Sequence, residues 1–435
     1  MSRVFHIAKN GTSSGSSKPT PPADIGAKAK DYDQETMMEE ASTYIMKHVK
    51  RNNSERTLLS DPINDWGTVT RGNPQPHKIP LTELPAAGLT PATWYCNIKA
   101  DPFIEPPYVR AGAVVENEVT FDLPTLTSLG EKYGTIKVMK AMQCLNVDSP
   151  LGQGIWEGVP LRIVLKMCGE IQNCRRIYYW GYHNNDPKQV FRSSISYAEA
   201  FEHVPNEPPV ILAYKLNGKP LPLVRGGPVR MIVPFGHGFK NVKFIQNIRL
   251  TNDYRANDTY AQIDEGDEGN DPGSIQKTYT TVDLMLGSPA IKGDKVTLSG
   301  ILMNGRTPCA YLEYWVRGPS PELQKAQLLE DNDPILLNGD WKKFDIPSPP
   351  VDFNDVLPNN IQAKDIFGID NNGVPKVWPL PFSYTSWSVT IKGMQPGFYE
   401  IRARAVDIHG NKQPEPRPYR KNGRNGIGTR RVQIV

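Results

Sequence analysis

The sequence has few cysteines, no long apolar run and no block of charge of one sign. Its five cysteines, Cys96, Cys144, Cys168, Cys174 and Cys309, are odd in number and scattered, with no CxxC pair. This excludes a zinc knuckle and a disulfide framework, so each thiol has to be judged singly. No window is apolar for long enough to cross a bilayer, and the N-terminal "MSRVFHIAKNGTSSGSSKPTPP" has neither an apolar core nor a twin arginine, so the expectation is a soluble chain without an export signal. The 50 Lys and Arg are interspersed with 46 Asp and Glu. The net charge of +4 therefore comes without a basic stripe, which argues against nucleic acid and leaves a small anion as a compatible partner.

What is abundant is proline and glycine, 40 and 36 residues of 435, more than a helical bundle tolerates. This predicts many short strands joined by structured loops, and the length predicts two or three domains. Residues 1–89 read as an N-terminal arm. Within it, 8–30 are flexible, "DYDQETMMEEASTYIMKHVKR" forms one amphipathic helix, and an extended, proline-punctuated stretch follows from Asn52 to about Thr90 and wraps a neighbouring surface. Residues 90–260 mix strands ("GTIKVMKAM", "RIYYWGY", "VILAYKL", "VRMIVPF") with helix-like runs ("VPLRIVLKMCG", "SYAEAFEHV"), an α+β domain in which Asn217-Gly218 makes a tight turn. The acidic "AQIDEGDEGNDPGS" reads as a linker. Residues 275–435 show period-two strands with no convincing helix, the pattern of an Ig-like β-sandwich carrying a long proline-rich insertion from Pro347 to Pro381.

Three segments could carry chemistry. "KVMKAMQCLNVDSPLGQGIWEGVPLRIVLKMCG" ends a strand at Cys144, follows it with a loop, and returns to a helix past Trp156, Gly158 and Pro160. A thiol at a strand end beside irregular chain is well placed for function, although a free cysteine is more often a small buried hydrophobe. "LAYKLNGKPLPLVRGGPVRMIVPFGHGFKNVKFIQNIRL" sets Arg225, Arg230, Lys240 and Lys243 around glycine-bearing turns, where backbone can approach an anion closely. Arg230 lies in an apolar strand and needs a partner there. The third, "GFYEIRARAVDIHGNKQPEPRPYRKNG", is a strand pair turned by Asp407 and Gly410, with a structural role as the ordinary expectation.

Together these segments resemble the sulfite oxidase family of molybdopterin enzymes from about Thr90 to Val435. The family's strand-terminal "QC" and its "W-x-G-V-P-L" are matched by Gln143-Cys144 and by Trp156, Gly158, Val159, Pro160 and Leu161. Its "LAY-x-x-NG-x-PLP…G-x-PVR-x-x-VP…G-x-x-x-VK" run is matched by Leu212 to Lys243, and the dimerisation-domain "G-x-Y-x-I-x-x-RA-x-D-x-x-G-x-x-QP" by Gly397 to Pro414.

The resemblance implies a sulfite-oxidase-type mixed α+β molybdopterin domain followed by an Ig-like dimerisation domain. It also implies molybdenum carried on molybdopterin, with Cys144 as the metal ligand. Cofactor contacts would come from Arg230, Lys240, Lys243, Gly238, His237 and His183, and the implied partners are a small anionic sulfur substrate, a c-type cytochrome and a second copy of the chain. No CxxCH haem motif occurs, so that cytochrome would be a separate protein. Many bacterial relatives are periplasmic, which is the compartment the resemblance favours.

The chain departs from the pattern around the anion pocket. The family's "RNH" triplet is replaced by "TWYCNIKADPF", where Lys99 restores one charge. Its "HG-x-PVR" histidine is Arg225, "CAGNRR" has become "CLNVDS", and an active-site tyrosine falls on Tyr254 or Tyr260. Arg225, Lys99, Tyr254 and Tyr260 are thus the candidate catalytic residues. The leading expectation is two-electron oxo transfer involving sulfite or a related sulfur compound. The alternatives are a sulfane-sulfur dehydrogenase-like subunit of a sulfur-oxidation complex, or a non-catalytic binding and assembly module.

Overall fold

The computed structural model describes residues 57–67, 74–102, 111–145, 149–202, 204–256, 258–259, 275–283, 290–414 and 425–435. The expected arm at 8–30, the helix at 31–51, the linker at 261–274 and Tyr260 lie outside them.

The first half runs β1 (Tyr95–Ala100), β2 (Val114–Val115), β3 (Val119–Asp122), α1 (Leu123–Tyr133), β4 (Ile136–Met142), β5 (Gly152–Pro160), α2 (Leu161–Leu165), β6 (Ile171–Gln172), β7 (Arg176–Gly181), β8 (Ser193–Ser196), α3 (Tyr197–Phe201), β9 (Ile211–Leu216), β10 (Lys219–Pro220), β11 (Arg230–Ile232) and β12 (Ile245–Thr251). Five of these strands form one sheet in the order β3-β1-β12-β7-β8, with β1 and β12 parallel. A second, antiparallel sheet has the order β10-β9-β5-β4, with β11 also on β9. Residues from both sheets and the short helices, among them Trp94, Ile98, Leu126, Leu161, Leu212, Met231 and Ile248, fill one core. Local chemistry sets the ends of α1: Asp122 caps the Thr125 N–H at 2.9 Å, and Gly134 closes it at φ 93°. Asn217 and Gly218, at φ 51° and 74°, make the turn between β9 and β10 that the sequence signals.

One expectation is corrected. The stretch after Cys144 returns not to a helix but to β5, a nine-residue strand over Gly152–Pro160, and the apolar helix is only five residues long. Every residue of β5 is buried, so the strand shows no period-two alternation and reads from sequence as loop. Its glycines are required by contact: a Cβ on Gly158 would strike Leu212 O and lie 2.6 Å from the Cα of Ala213.

The second half contributes β13 (Tyr279–Thr280), β14 (Ala290–Ile291), β15 (Lys295–Met303), β16 (Cys309–Arg317), β17 (Lys342–Phe344), β18 (Tyr384–Lys392), β19 (Gly397–Asp407) and β20 (Gly428–Ile434). Two sheets, β13-β15-β18 and β14-β20-β19-β16-β17, enclose a common core that includes Val296, Leu298, Leu312, Trp387, Ile401 and Val432. The proline-rich insertion between β17 and β18 leaves this core. Its Phe353, Ile361, Ile366 and Leu380 pack on Met139 of β4 and Ile155 of β5.

The two halves are therefore joined along β4 and β5. Ala141 donates to Phe382 O at 2.9 Å, and the Gln153 amide exchanges two hydrogen bonds with the Tyr384 backbone, at 2.6 and 3.1 Å. The extended segment before Thr90 wraps this same body: Ser60 and Gly67 donate to Gln153 O and Leu151 O, each at 2.8 Å. Trp66 stands edge-on to Trp156 with ring centroids 5.8 Å apart.

Candidate functional site

Strand alternation on β4 divides its side chains. Met139 and Ala141 enter clusters shared with the second half of the chain, while Val138 and Met142 face the opposite way with Trp156 and Ile232. The ladder ends at Met142, and Gln143 anchors the chain beyond it. Its Oε1 accepts from the Tyr279 hydroxyl at 2.6 Å, its Nε2 donates to Cys144 O at 2.8 Å, and its backbone O accepts from Gly238 N at 2.7 Å. A Cβ on Gly238 would lie 3.4 Å from Gln143 O and 3.9 Å from the Cα of Cys144. The thiol-bearing strand end and the glycine turn, about ninety residues apart in sequence, are thus in contact.

Cys144 is half-buried, whereas Cys96, Cys168 and Cys309 are fully buried in cores. Burial pushes the thiols of Cys168, Cys174 and Cys309 up to about 12, and that of Cys96 also rises, so these four are held neutral. They have packing roles.

Around the turn, Arg230 and Lys240 are both buried, and they are treated differently. Lys240 Nζ lies 2.5 Å from Asp258 Oδ2 and 2.6 Å from Ser194 O, so its charge is balanced within the fold. Among the described residues Arg230 bonds only carbonyls, Asn241 O at 2.9 Å from Nε and Arg225 O at 3.0 Å from Nη1, with its guanidinium 5.2 Å from the centre of the Trp156 ring. Burial, and then the nearby Arg225, lower it to about 9. Lys243 donates to Val224 O at 3.0 Å and packs against Gly226, where a Cβ would lie 2.6 Å from its Cγ. His237 is buried beside Gly238, and its carbonyl accepts from Asn241 Nδ2 at 2.8 Å. His183 is buried at the end of β7, its Nδ1 2.8 Å from Gly181 O.

The expected catalytic set does not converge in the same way. Arg225 is buried, but its guanidinium clamps the N-terminal segment through Pro62 O at 2.6 Å, Gly67 O at 2.9 Å and Trp66 O at 3.2 Å. Lys99 is substantially exposed, 3.9 Å from Glu118. Tyr254 points its ring to solvent at 61% exposure, and Tyr260 lies outside the described residues.

Sequence reasoning missed two residues. Lys140, on β4 four residues before Cys144, is fully buried, with Nζ donating to Pro234 O at 2.6 Å and Gly236 O at 3.0 Å. Burial, and then Arg230, lower it to about 7. Asn241 ties the turn together: Oδ1 accepts from Val233 N at 2.9 Å, and Nδ2 reaches Gly236 O at 3.3 Å as well as His237 O. The signal for Lys140 was available, a lysine in the centre of "VMKAM" on a strand otherwise buried there.

Residues 109–259, which hold β4, Cys144 and the 225–243 turns, match the family described as oxidoreductase molybdopterin binding domain. Mitochondrial sulfite oxidase of Mus musculus is 24% identical over 205 residues, 46% of this chain and 37% of that protein. The catalytic subunit of the protein-methionine-sulfoxide reductase MsrP of Xanthomonas campestris pv. campestris is 33% identical over 106 residues, 22% of this chain and 31% of that protein. The chain thus matches about a third of either relative's length. Among solved structures, the sulfane dehydrogenase SoxCD from Paracoccus pantotrophus superposes with a TM-score of 0.53 at 14% identity, over 79% of this chain and 77% of that one, a likeness of fold.

The matched segment, residues 109–259, is a domain of the molybdopterin-binding oxidoreductase class. Over part of its length the chain is similar to the sulfite oxidases, from which its sequence has diverged widely.

Proposed function

We propose that the chain is a molybdenum-cofactor oxidoreductase of the sulfite oxidase type. It would carry two-electron oxo transfer on a small sulfur compound and pass electrons to a separate c-type cytochrome. The observation that carries this reading is Arg230, a buried guanidinium that among the described residues bonds carbonyls and no carboxylate, beside a glycine turn that touches the Cys144 strand end. Such a site is complete only with an anion, and a cofactor phosphate supplies one.

The residues fit the group. The Cys144 thiolate would be the single protein ligand to molybdenum, a soft donor suited to it. Arg230 and Lys243, with His237, the Gly238 backbone and His183, would line the pterin and its phosphate, while Lys240 supports the turn through Asp258. The bound group would supply the redox chemistry. The chain's own contribution is to hold the thiol against the turn through Gln143, Gly238 and Tyr279, and to keep a buried positive field around it.

One observation favours a narrower substrate reading. Arg225 spends its guanidinium on three backbone carbonyls and Lys99 stands at the surface, so the cations expected to bind free sulfite are directed elsewhere. This supports a sulfane-type substrate, in which the reacting sulfur is attached to a carrier, over a free dianion. Pairing of two chains through the 275–435 sandwich and a periplasmic setting belong to the same proposal.

The test is elemental analysis of protein from a cofactor-competent host, followed by cytochrome c reduction with sulfite and with thiol-bound sulfane sulfur. About one molybdenum per chain and turnover with either compound support the enzyme. Absence of molybdenum sinks it in favour of a binding or assembly module.

A further inference from the structure

The anion seat begun by Arg230 has a second member. Lys140 has no solvent exposure and Arg230 has 6%, and among the described residues no acidic side chain pairs with either. Asp258, the acid that reaches the turn system, is already taken by Lys240. Strand alternation puts Lys140 on the face of β4 shared with Val138 and Met142, the face over which Arg230 also lies, against Trp156. That indole joins the two: its Nε1 donates to Lys140 O at 3.4 Å while its ring carries the Arg230 guanidinium.

Both cations also hold the same turn. Lys140 Nζ binds Pro234 O and Gly236 O, Arg230 Nε binds Asn241 O, and Asn241 Nδ2 returns to Gly236 O. An ammonium has three N–H donors and Lys140 uses two. A guanidinium has five, and Arg230 spends Nε and one Nη1 donor. Two buried cations that share a turn and have donors to spare repel each other and keep their desolvation cost until an anion enters.

We propose that Lys140 is a second cation of this seat, so that Lys140 and Arg230 together receive a doubly charged phosphate monoester beside Cys144. The inference rests on the cofactor reading above, since the phosphate envisaged is the one the cofactor carries. A merely structural lysine would stabilise the turn in the absence of any ligand. A ligand-directed one leaves the empty protein worse off.

The experiment uses full-length protein from a host unable to make the cofactor, with inorganic phosphate as the probe and sodium chloride at matched ionic strength as the control. Phosphate is expected to raise the melting temperature of the wild type where chloride does not. Lys140→Met is expected to melt higher than wild type without phosphate, and to bind phosphate about tenfold or more weakly, the loss expected for one charged hydrogen bond. Lys140→Arg is expected to restore the response.

A Lys140→Met variant that melts lower than wild type and keeps the full phosphate response overturns the proposal, as does a wild type indifferent to phosphate. If Lys140→Met does not fold, the same comparison is made with Lys140→Gln.

A second arm separates the cofactor from free phosphate: molybdenum content of holoprotein after gel filtration, which Lys140→Met should lower relative to wild type. A wild type without molybdenum refutes the cofactor reading itself. A molybdenum-replete wild type with a flat phosphate response in both proteins refutes only the role of Lys140.

Discussion

Two of the sheets bury arginines that they treat in opposite ways. On the sandwich sheet, Arg402 lies 2.6 Å from Glu400 and 3.0 Å from Asp331, and Arg404 lies 2.7 Å from Glu313. Arg317 adds a further contact to Glu400 at 2.5 Å. Every one of these cations has its acid, and the network holds the segment around Asp331 against β19. On the β4–β5–β9–β11 sheet, Arg230 and Lys140 bond carbonyls only among the described residues. Matched buried charge is a device of structure, whereas unmatched buried charge points to something that is not part of the chain.

The largest effect that could break this comparison is at Cys144. Cys144→Ser is expected to remove molybdenum and oxidoreductase activity to below detection, and a variant that turns over normally would remove the thiol from the site. Next is stability. Arg402→Met should cost about 1–3 kcal/mol in urea unfolding, because buried Glu400 keeps only Arg317 and Asp331 loses its cation, whereas Arg230→Met in cofactor-free protein should be neutral or stabilising. Equal losses at both positions would erase the distinction.

The same asymmetry has a pH signature. Lys140 is lowered from 10.5 to about 7, so between those values the unfolded chain holds a proton that the folded chain has released, and wild-type stability rises with pH across that window. Below pH 7 both states are protonated and the penalty is constant. The advantage of Lys140→Met over wild type should therefore be greatest below pH 7 and shrink towards pH 10.5 in cofactor-free thermal melts.

Smaller effects test the scaffold. Gly158→Ala drives a methyl into Leu212 O and should cost about 1–3 kcal/mol. Tyr279→Phe removes the hydroxyl that holds Gln143 and should cost about 1 kcal/mol, with cofactor retention falling alongside it.

Much of this was legible from the chain alone. Period-two alternation marks β15, β16, β18 and β19, Asn217-Gly218 marks its turn, and the order of the "QC", "PVR" and "VK" segments marks the resemblance to molybdopterin-binding domains. β5 was not legible, because burial on both faces removes the alternation that would have identified it. Nor was the destination of Arg225, since its partners are backbone carbonyls that any sequence at 62, 66 and 67 would present.

The sequence by itself therefore determined which side chains the site has to work with: one thiol at a strand end, glycines in the turns, and cations between them. Only the tertiary structure decided which of those cations are satisfied. Lys240 and Lys140 are both buried lysines, yet one meets Asp258 and the other meets carbonyls. A charge's partner is chosen by proximity in space across strands far apart in sequence, and its energetic sign depends on that partner.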